Sequence, residues 1–567
     1  MTRAAYDRQF TMLRDDEYYD LGGFGRPVTT TSDDAQTWFD RGLTWCYAFN
    51  HEEAVRCFQH AIEADPACAM AHWGLAYAIG PNYNKNWDAF EPEELTDAVA
   101  TAHAAVTSAS ELASAGTPVE RALIGALRAR FPEHTPAEDC APWNDEYAAA
   151  MRTVYADFGD DQDVASLFAE ALIGRTPWLL WDLQTGEPAD GADTAEAMAV
   201  LERGMANPNG ARPHPGLLHM YVHTMEMSPF PERALRAADQ LRDLVPDAGH
   251  LVHMPTHIDV LCGNYRDVVT GNRRAIVADR KFLEREGALN FYTLYRCHDY
   301  HFTVYGAMFL GQPEAALEAA AELRATLTEE LLRIEVPVMA DWLEGFVPMR
   351  LHVLVRFGMW DEILAEPLPD DAQLYCVTTA MLHYAKGVAH AATGDLAAAD
   401  EQRRLFREAY ARVPDTRYLF NNTCLDALAV AAEMLDGEIE YRHGRYDAAF
   451  AHLRRSVEID DNLLYDEPWA WMQPTRHALG ALLLEQGRIE EAEAVYRSDL
   501  GLDGKLSRAC QHPDNLWSLH GLHECLVRRG EKAETALIKQ RLDLAQARAE
   551  IPIKASCFCR RMDMAAA

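Results

Sequence analysis

Six of the 22 histidines in this chain fall in three short motifs. They are His219-Met-Tyr-Val-His223, His253-Met-Pro-Thr-His257 and His298-Asp-Tyr-His301. Residues three or four apart share one face of a helix, so each pair could chelate one ion or line one wall of a cavity. Imidazole suits copper, zinc, iron and nickel. Carboxylates, which would turn the preference toward iron or manganese, come near only as Glu226 and Asp299. The expected donor set is therefore His219, His223, His253, His257, His298 and His301, holding one or two metal ions, with copper ahead of zinc and iron.

Two HxxxH pairs with further histidines also match the ligand count of coupled binuclear copper centres such as those of hemocyanins and tyrosinases, a likeness of ligand number and not of fold. A redox metal among aromatic residues points to an oxidoreductase that oxidises a small molecule with O₂, with Tyr221, Tyr295, Tyr300 and Tyr305 lining the pocket. If the metal is zinc, activation of a bound water for hydrolysis is the natural alternative. Neither pair carries the Glu of HExxH, so a zincin-type peptidase lacks its general base. Met220 and Met254 each follow a histidine and could be soft ligands, but methionine at such positions is more often core. The alternative to all of this is a scaffold. A lone histidine on an apolar helix face is usually a hydrogen-bonded core residue, and helical repeats commonly hold a peptide or partner protein on the concave side.

Weaker candidates lie elsewhere. Cys557-Phe-Cys559 near the C-terminus could fold back and donate a thiolate, could oxidise, or could be disordered. His520 and His523 read as structural. Asn82, Tyr83, Asn84 and Trp87 could cap a groove. Glu467, Trp469, Trp471 and Arg476 could bind a substrate carboxylate or pack a turn. Gly22-Gly23-Phe24-Gly25 lacks a preceding strand and the P-loop lysine, so it is not a nucleotide loop.

The elements that must position these histidines are helices. His219 to His253 and His223 to His257 are both 34 residues, one period of a tetratricopeptide repeat. Superposing Gly263 on Gly311 brings His250 onto His298, His253 onto His301 and His257 onto Tyr305. Three successive first helices thus carry histidine at one structural position, facing a concave groove. The repeating unit is an apolar helix, a Gly turn and an Ala-rich helix, as in "LCGNYRDVVTGNRRAIVAD" and "YRHGRYDAAFAHLRRSVEID". "YAFNHEEAVRCFQHAIEADP" at 47–66 fits the second helix of such a unit. The turn glycines are Gly263, Gly311, Gly358, Gly394, Gly444, Gly487 and Gly530, spaced by 36 to 50 residues. The spacing predicts degenerate hairpins. The fold class is all-α, a right-handed α-solenoid of degenerate TPR-like helical hairpins. Its expected organisation is an N-terminal arm (1–33), N-terminal hairpins (34–212), histidine-bearing central hairpins (213–330), C-terminal hairpins (331–550) and a Cys-containing tail (551–567).

On "FDRGLTWCYAFNHEEAVRCFQHAIEADPACAMAHWGLAYAIGPNYN", "PGLLHMYVHTMEMSPFPERAL", "AGHLVHMPTHIDVLCGNY" and "PTRHALGALLLEQGRIEEAEAVYRSDL", the chain resembles a family of bacterial tetratricopeptide-repeat proteins. It is similar, more remotely, to the tetratricopeptide repeat protein 38 group. The resemblance spans nearly the whole chain and implies a fold but no settled activity.

Composition excludes other classes. A net charge of −36 repels phosphate backbones, and no basic stripe offsets it, so nucleic-acid binding is not expected. No run approaches the roughly 18 apolar residues of a membrane span, and the N-terminus lacks the apolar core of a signal peptide. The 12 cysteines read as reduced core thiols of a cytoplasmic protein.

Overall fold

The computed structural model describes residues 18–207 and 213–560. Nearly all of the secondary structure is helix, and the one sheet among the described residues is the two-stranded pair Tyr418–Leu419 and Asn422–Thr423. The chain forms two compact units, Met1–Ile258 with Val277–Asn290, and Asp259–Ile276 with Phe291–Ala567. Of the arm expected over 1–33, residues 1–17 lie outside the described residues, and helix begins at Asp33.

In the first unit, helices Asp33–Tyr47 and His51–Ala64 form an antiparallel hairpin, and Ala69–Ile79 packs next against them. Local chemistry sets the boundaries. The Ser32 side chain accepts from the Ala35 amide, and Asn50 accepts from the Glu53 amide; each satisfies a backbone donor that a helix start leaves open. Thr117 and Glu120 form a reciprocal capping box ahead of Pro118–Arg130. Small residues let the helices approach. A Cβ on Gly42 or Gly74 would lie 2.8 or 2.3 Å from the Phe58 ring, which the two glycines clasp.

The second unit repeats the device with Tyr496, whose ring lies 2.5 and 2.2 Å from where a Cβ on Gly480 or Gly521 would stand. All seven turn glycines named from the sequence have positive φ, between 64° and 96°. Among them, Gly311 joins Tyr292–Leu310 to Pro313–Thr326, Gly394 joins Cys376–Thr393 to Leu396–Tyr410, and Gly444 joins Cys424–Arg442 to Tyr446–Asp461. The left-handed conformation closes the helix end and releases the chain into the return helix, and glycine adopts it without a Cβ clash.

The tail folds back and is oxidised, two of the possibilities its sequence left open. Residues 551–560 pack on the second unit: Ser556 Oγ donates to the His477 carbonyl at 2.8 Å and sits 2.6 Å from Tyr496 Oη, while Phe558 stacks edge-on against Trp517. The cysteines are also not uniformly reduced. Cys557 and Cys559 form a disulfide, and ten other cysteines are free. Among the described residues, no helix is long and apolar enough to cross a membrane.

Candidate metal centre

His219 and His223 lie on the helix Pro215–Glu226, every residue of which is buried. Its start is fixed by His214, whose Nδ1 accepts from the Leu217 amide at 3.2 Å and whose Nε2 faces Asp163 Oδ1 at 3.1 Å. His250 and His253 lie on the short helix Gly249–His253, and His257 lies on Pro255–Leu261. Proline cannot continue the hydrogen-bond ladder, so the second HxxxH motif is split over two short helices rather than presented on one face. Its rings still meet, with His253 Nε2 2.7 Å from His257 Nε2.

The histidines expected to line a concave groove are buried. His219, His223 and His253 are fully buried and His257 is 2% exposed. The rings of His219 and His250 lie 4.9 Å apart, and one ring nitrogen from each of His219, His223 and His250 lies within 4.8 Å of the others. A tetrahedral ion bound at about 2.0–2.1 Å would draw such nitrogens to about 3.4 Å from one another, a modest inward rotation of each ring.

The hydrogen bonds decide which nitrogens face inward. The Tyr47 carbonyl can only accept, so the 2.6 Å contact makes His219 Nδ1 the donor and leaves a lone pair on Nε2. His223 Nδ1 donates to Glu226 Oε1 at 2.9 Å, and His257 Nδ1 donates to Glu226 Oε2 at 2.8 Å. Nε2 of His219 and Nε2 of His223 are buried without a hydrogen-bond partner. Buried polar atoms are almost always paired, so these two ask for an occupant. Burial holds His219, His223 and His250 well below the usual imidazole range, and neighbouring imidazoles push the same way. Neutral imidazoles are the form that ligates a metal.

Aromatic residues close the site. The Phe49 ring lies 4.5 Å from that of His219, 5.6 Å from His223 and 5.7 Å from His250. Tyr83 and Trp178 pack on His223 at 4.8 and 5.8 Å. Phe49 and Trp178 have φ of 54° and 60°, a region that bulky side chains avoid at a cost of roughly 1–3 kcal/mol. Phe49 occupies the turn of the first hairpin, aligned with the glycine at Gly263, so a ring against the histidines stands where the repeat elsewhere uses no side chain.

No family model matches this chain, and no curated protein matches it in sequence. Solved structures with a similar course of helices include the APC/C hetero-tetramer Cut9-Hcn1, with 12% identity, 90% of this chain and 76% of that chain covered, and a TM-score of 0.31. The human IFIT1 dimer with m7Gppp-AAAA has 12% identity, coverage of 90% and 97%, and a TM-score of 0.31. Yeast Tom70 has 10% identity, coverage of 89% and 98%, and a TM-score of 0.27. At these values no property of those proteins carries over to this chain.

The other expected site residues have surroundings of their own. Tyr221 is two positions from both His219 and His223, hence on the opposite face of the helix, and its hydroxyl donates to Glu202 at 2.9 Å. It does not line the cluster. His298 and His301, with Tyr295, Tyr300 and Tyr305, lie on Tyr292–Leu310 in the second unit. There Phe420, at φ 53°, lies 4.7 Å from His298 and 6.3 Å from His301. Burial brings His301 down to about 3. Tyr305 Oη lies 3.2 Å from His512 Nε2, and Tyr295 packs edge-on against Phe291 and Tyr292. Arg476 is bound by both carboxylate oxygens of Asp461, which leaves it a structural part of its turn. Among the described residues, His520 and His523 join no cluster of three donors. Met220 and Met254 are buried core side chains.

Sequence reasoning did not place His250 among the ligands, although His250 and His253 stand three apart and His250 aligns with His298. It also missed Phe49, whose signal was an aromatic at a glycine position, and the Tyr47 carbonyl, which no side-chain pattern could reveal.

Proposed function

We propose that this chain is a metalloprotein of tetratricopeptide-like fold in which His219, His223 and His250 hold one ion, copper ahead of zinc or iron, and that the centre oxidises a small molecule. The observation that carries the proposal is the pair of buried, unpartnered Nε2 atoms of His219 and His223, each fixed by a hydrogen bond at the opposite ring nitrogen. Ligating histidines characteristically tie down their other nitrogen in this way. His253 and His257 supply two further nitrogens for a second ion. An all-imidazole set without thiolate suits copper or zinc, and three protein ligands leave a coordination position open. Copper in such a set supplies one-electron exchange with O₂, whereas zinc would supply an activated water for hydrolysis. The chain's own contribution is to hold the tautomers through Tyr47 and Glu226 and to exclude water with Phe49, Tyr83 and Trp178.

The likeness of the quoted stretches to bacterial tetratricopeptide-repeat proteins, and remotely to the tetratricopeptide repeat protein 38 group, supports the same fold. Elemental analysis of the untagged protein, beside a His219→Ala, His250→Ala variant, tests the proposal. Near-stoichiometric copper that the variant loses is the expected result. Zinc would move the chemistry to hydrolysis or to a structural role. No metal in either protein after reconstitution would sink the proposal and leave a scaffold that holds a peptide or partner protein.

A further inference from the structure

The C-terminal segment carries a second chemistry. Cys557 and Cys559 are disulfide-bonded in the structure; Cys559 is 2% exposed, whereas Cys557 is only part-buried. A carboxylate oxygen of Glu438, itself 2% exposed, lies within 4.8 Å of both sulfurs. Glu438 belongs to the helix Cys424–Arg442, and Arg442, one turn on, donates to the Cys559 carbonyl. Arg560 is held by Glu524 at 2.7 and 3.0 Å, and Arg356 donates to the Ser556 carbonyl at 3.4 Å. These contacts seat the pair on the second unit. One cysteine is therefore the more accessible, the other is buried, and a buried carboxyl lies near both sulfurs.

We propose that Cys557 and Cys559 form a thiol–disulfide exchange centre for small disulfides of the glutathione type, with Cys557 as the entering nucleophile and Glu438 as the base that takes the proton from Cys559. Starting from the dithiol, the Cys557 thiolate attacks one sulfur of a small disulfide. That S–S bond breaks, the first small thiol leaves with a proton, and a mixed disulfide remains on Cys557. Glu438 then removes the Cys559 proton, and the Cys559 thiolate attacks Cys557. The mixed disulfide breaks, the second small thiol leaves with that proton, and the internal disulfide closes. The sum is one small disulfide reduced to two thiols and one protein dithiol oxidised to a disulfide. Reduction by a dithiol runs the same steps in reverse.

The environment suits each role. Arg442, which reaches the Cys559 carbonyl, brings one positive charge to the Cys557–Cys559 segment, and positive charge beside a cysteine favours thiolate. Burial raises the Glu438 carboxyl to about 7, with Arg442 opposing and Glu485 adding to the shift. A base at that level accepts a proton at neutral pH and returns it readily.

Alkylation mapped to the C-terminal peptide of the full chain tests the proposal. After dithiothreitol, the peptide should carry two alkyl groups, and after oxidised glutathione it should return to the disulfide. Cys559→Ser should trap glutathione on Cys557, and Glu438→Gln should slow ring closure at pH 7 about tenfold or more without any loss of melting temperature. The wild-type measurement stands even where a variant fails to fold. A peptide that stays a dithiol in oxidised glutathione overturns the proposal. So does a Glu438→Gln protein that closes at the wild-type rate, or glutathione that adds to Cys559 in Cys557→Ser faster than to Cys557 in Cys559→Ser.

Discussion

The carbonyl oxygen of Tyr47 lies 2.6 Å from Nδ1 of His219, and this one contact selects the histidine's tautomer. A carbonyl has no proton to give. His219 therefore carries its proton on Nδ1 and turns a bare Nε2 toward the cluster. In the metal-free protein, imidazole ¹⁵N spectra should show His219 Nε2 unprotonated from pH 8 down to pH 5, because burial and the neighbouring His223 hold the ring well below the ordinary range. A protonated Nε2, or a titration inside that window, would contradict the assignment.

Glu226 is a single buried carboxylate that accepts from His223 and His257. Glu226→Gln keeps the shape but offers only one carbonyl oxygen, so one of the two rings loses its acceptor. Metal affinity should fall about 10- to 100-fold, the usual effect of removing such a support. Competition against a chromophoric chelator measures it, and an unchanged affinity would remove Glu226 from the site.

Phe49 should reverse the ordinary ranking of alanine and glycine. Both truncations lose the ring that packs on three histidines, and Phe→Ala in a core costs about 3–5 kcal/mol. Only alanine keeps a Cβ at φ 54°, where the left-handed backbone costs roughly 1–2 kcal/mol. Phe49→Gly should therefore be about 1 kcal/mol more stable than Phe49→Ala in urea unfolding. The opposite order would mean that the turn is not held left-handed.

In the second unit, burial brings His352 down to about 3. Its folded value lies below the unfolded value of about 6.5, so below pH 6.5 the unfolded chain binds the proton that the native ring refuses. This contribution to stability is complete above pH 6.5 and is lost as the pH falls toward 3, at about 1.4 kcal/mol per pH unit. Asp460 and Glu438, both raised to about 7, work in the opposite sense, so the difference between two proteins is the proper readout. His352→Leu should flatten the decline of melting temperature between pH 6.5 and 4 relative to wild type. Parallel profiles would show that His352 is protonated in the native state.

Most of the fold was legible along the chain. Helix and turn depend on neighbours a few residues apart, and Gly263 through Gly530 could be read as left-handed turns because glycine is the cheapest residue there. The pairing of His219 with His223 was legible for the same reason. Pro255 showed the limit. It interrupts the helix that the spacing of His253 and His257 implied, yet tertiary packing brings the two rings together regardless.

By itself the sequence determined the helical hairpins, their turns and the histidines able to ligate, because periodicity and turn chemistry act over short separations. Only the tertiary structure decided that His250 joins His219 and His223, that Tyr221 turns away, that Phe49 takes a glycine's place to cover the cluster, and that Glu438 lies against Cys557 and Cys559. Those relationships join residues from 19 to 201 positions apart, as Tyr221 with Glu202 and Phe49 with His250 illustrate. They depend on burial and on the directions of backbone groups, neither of which a linear pattern carries.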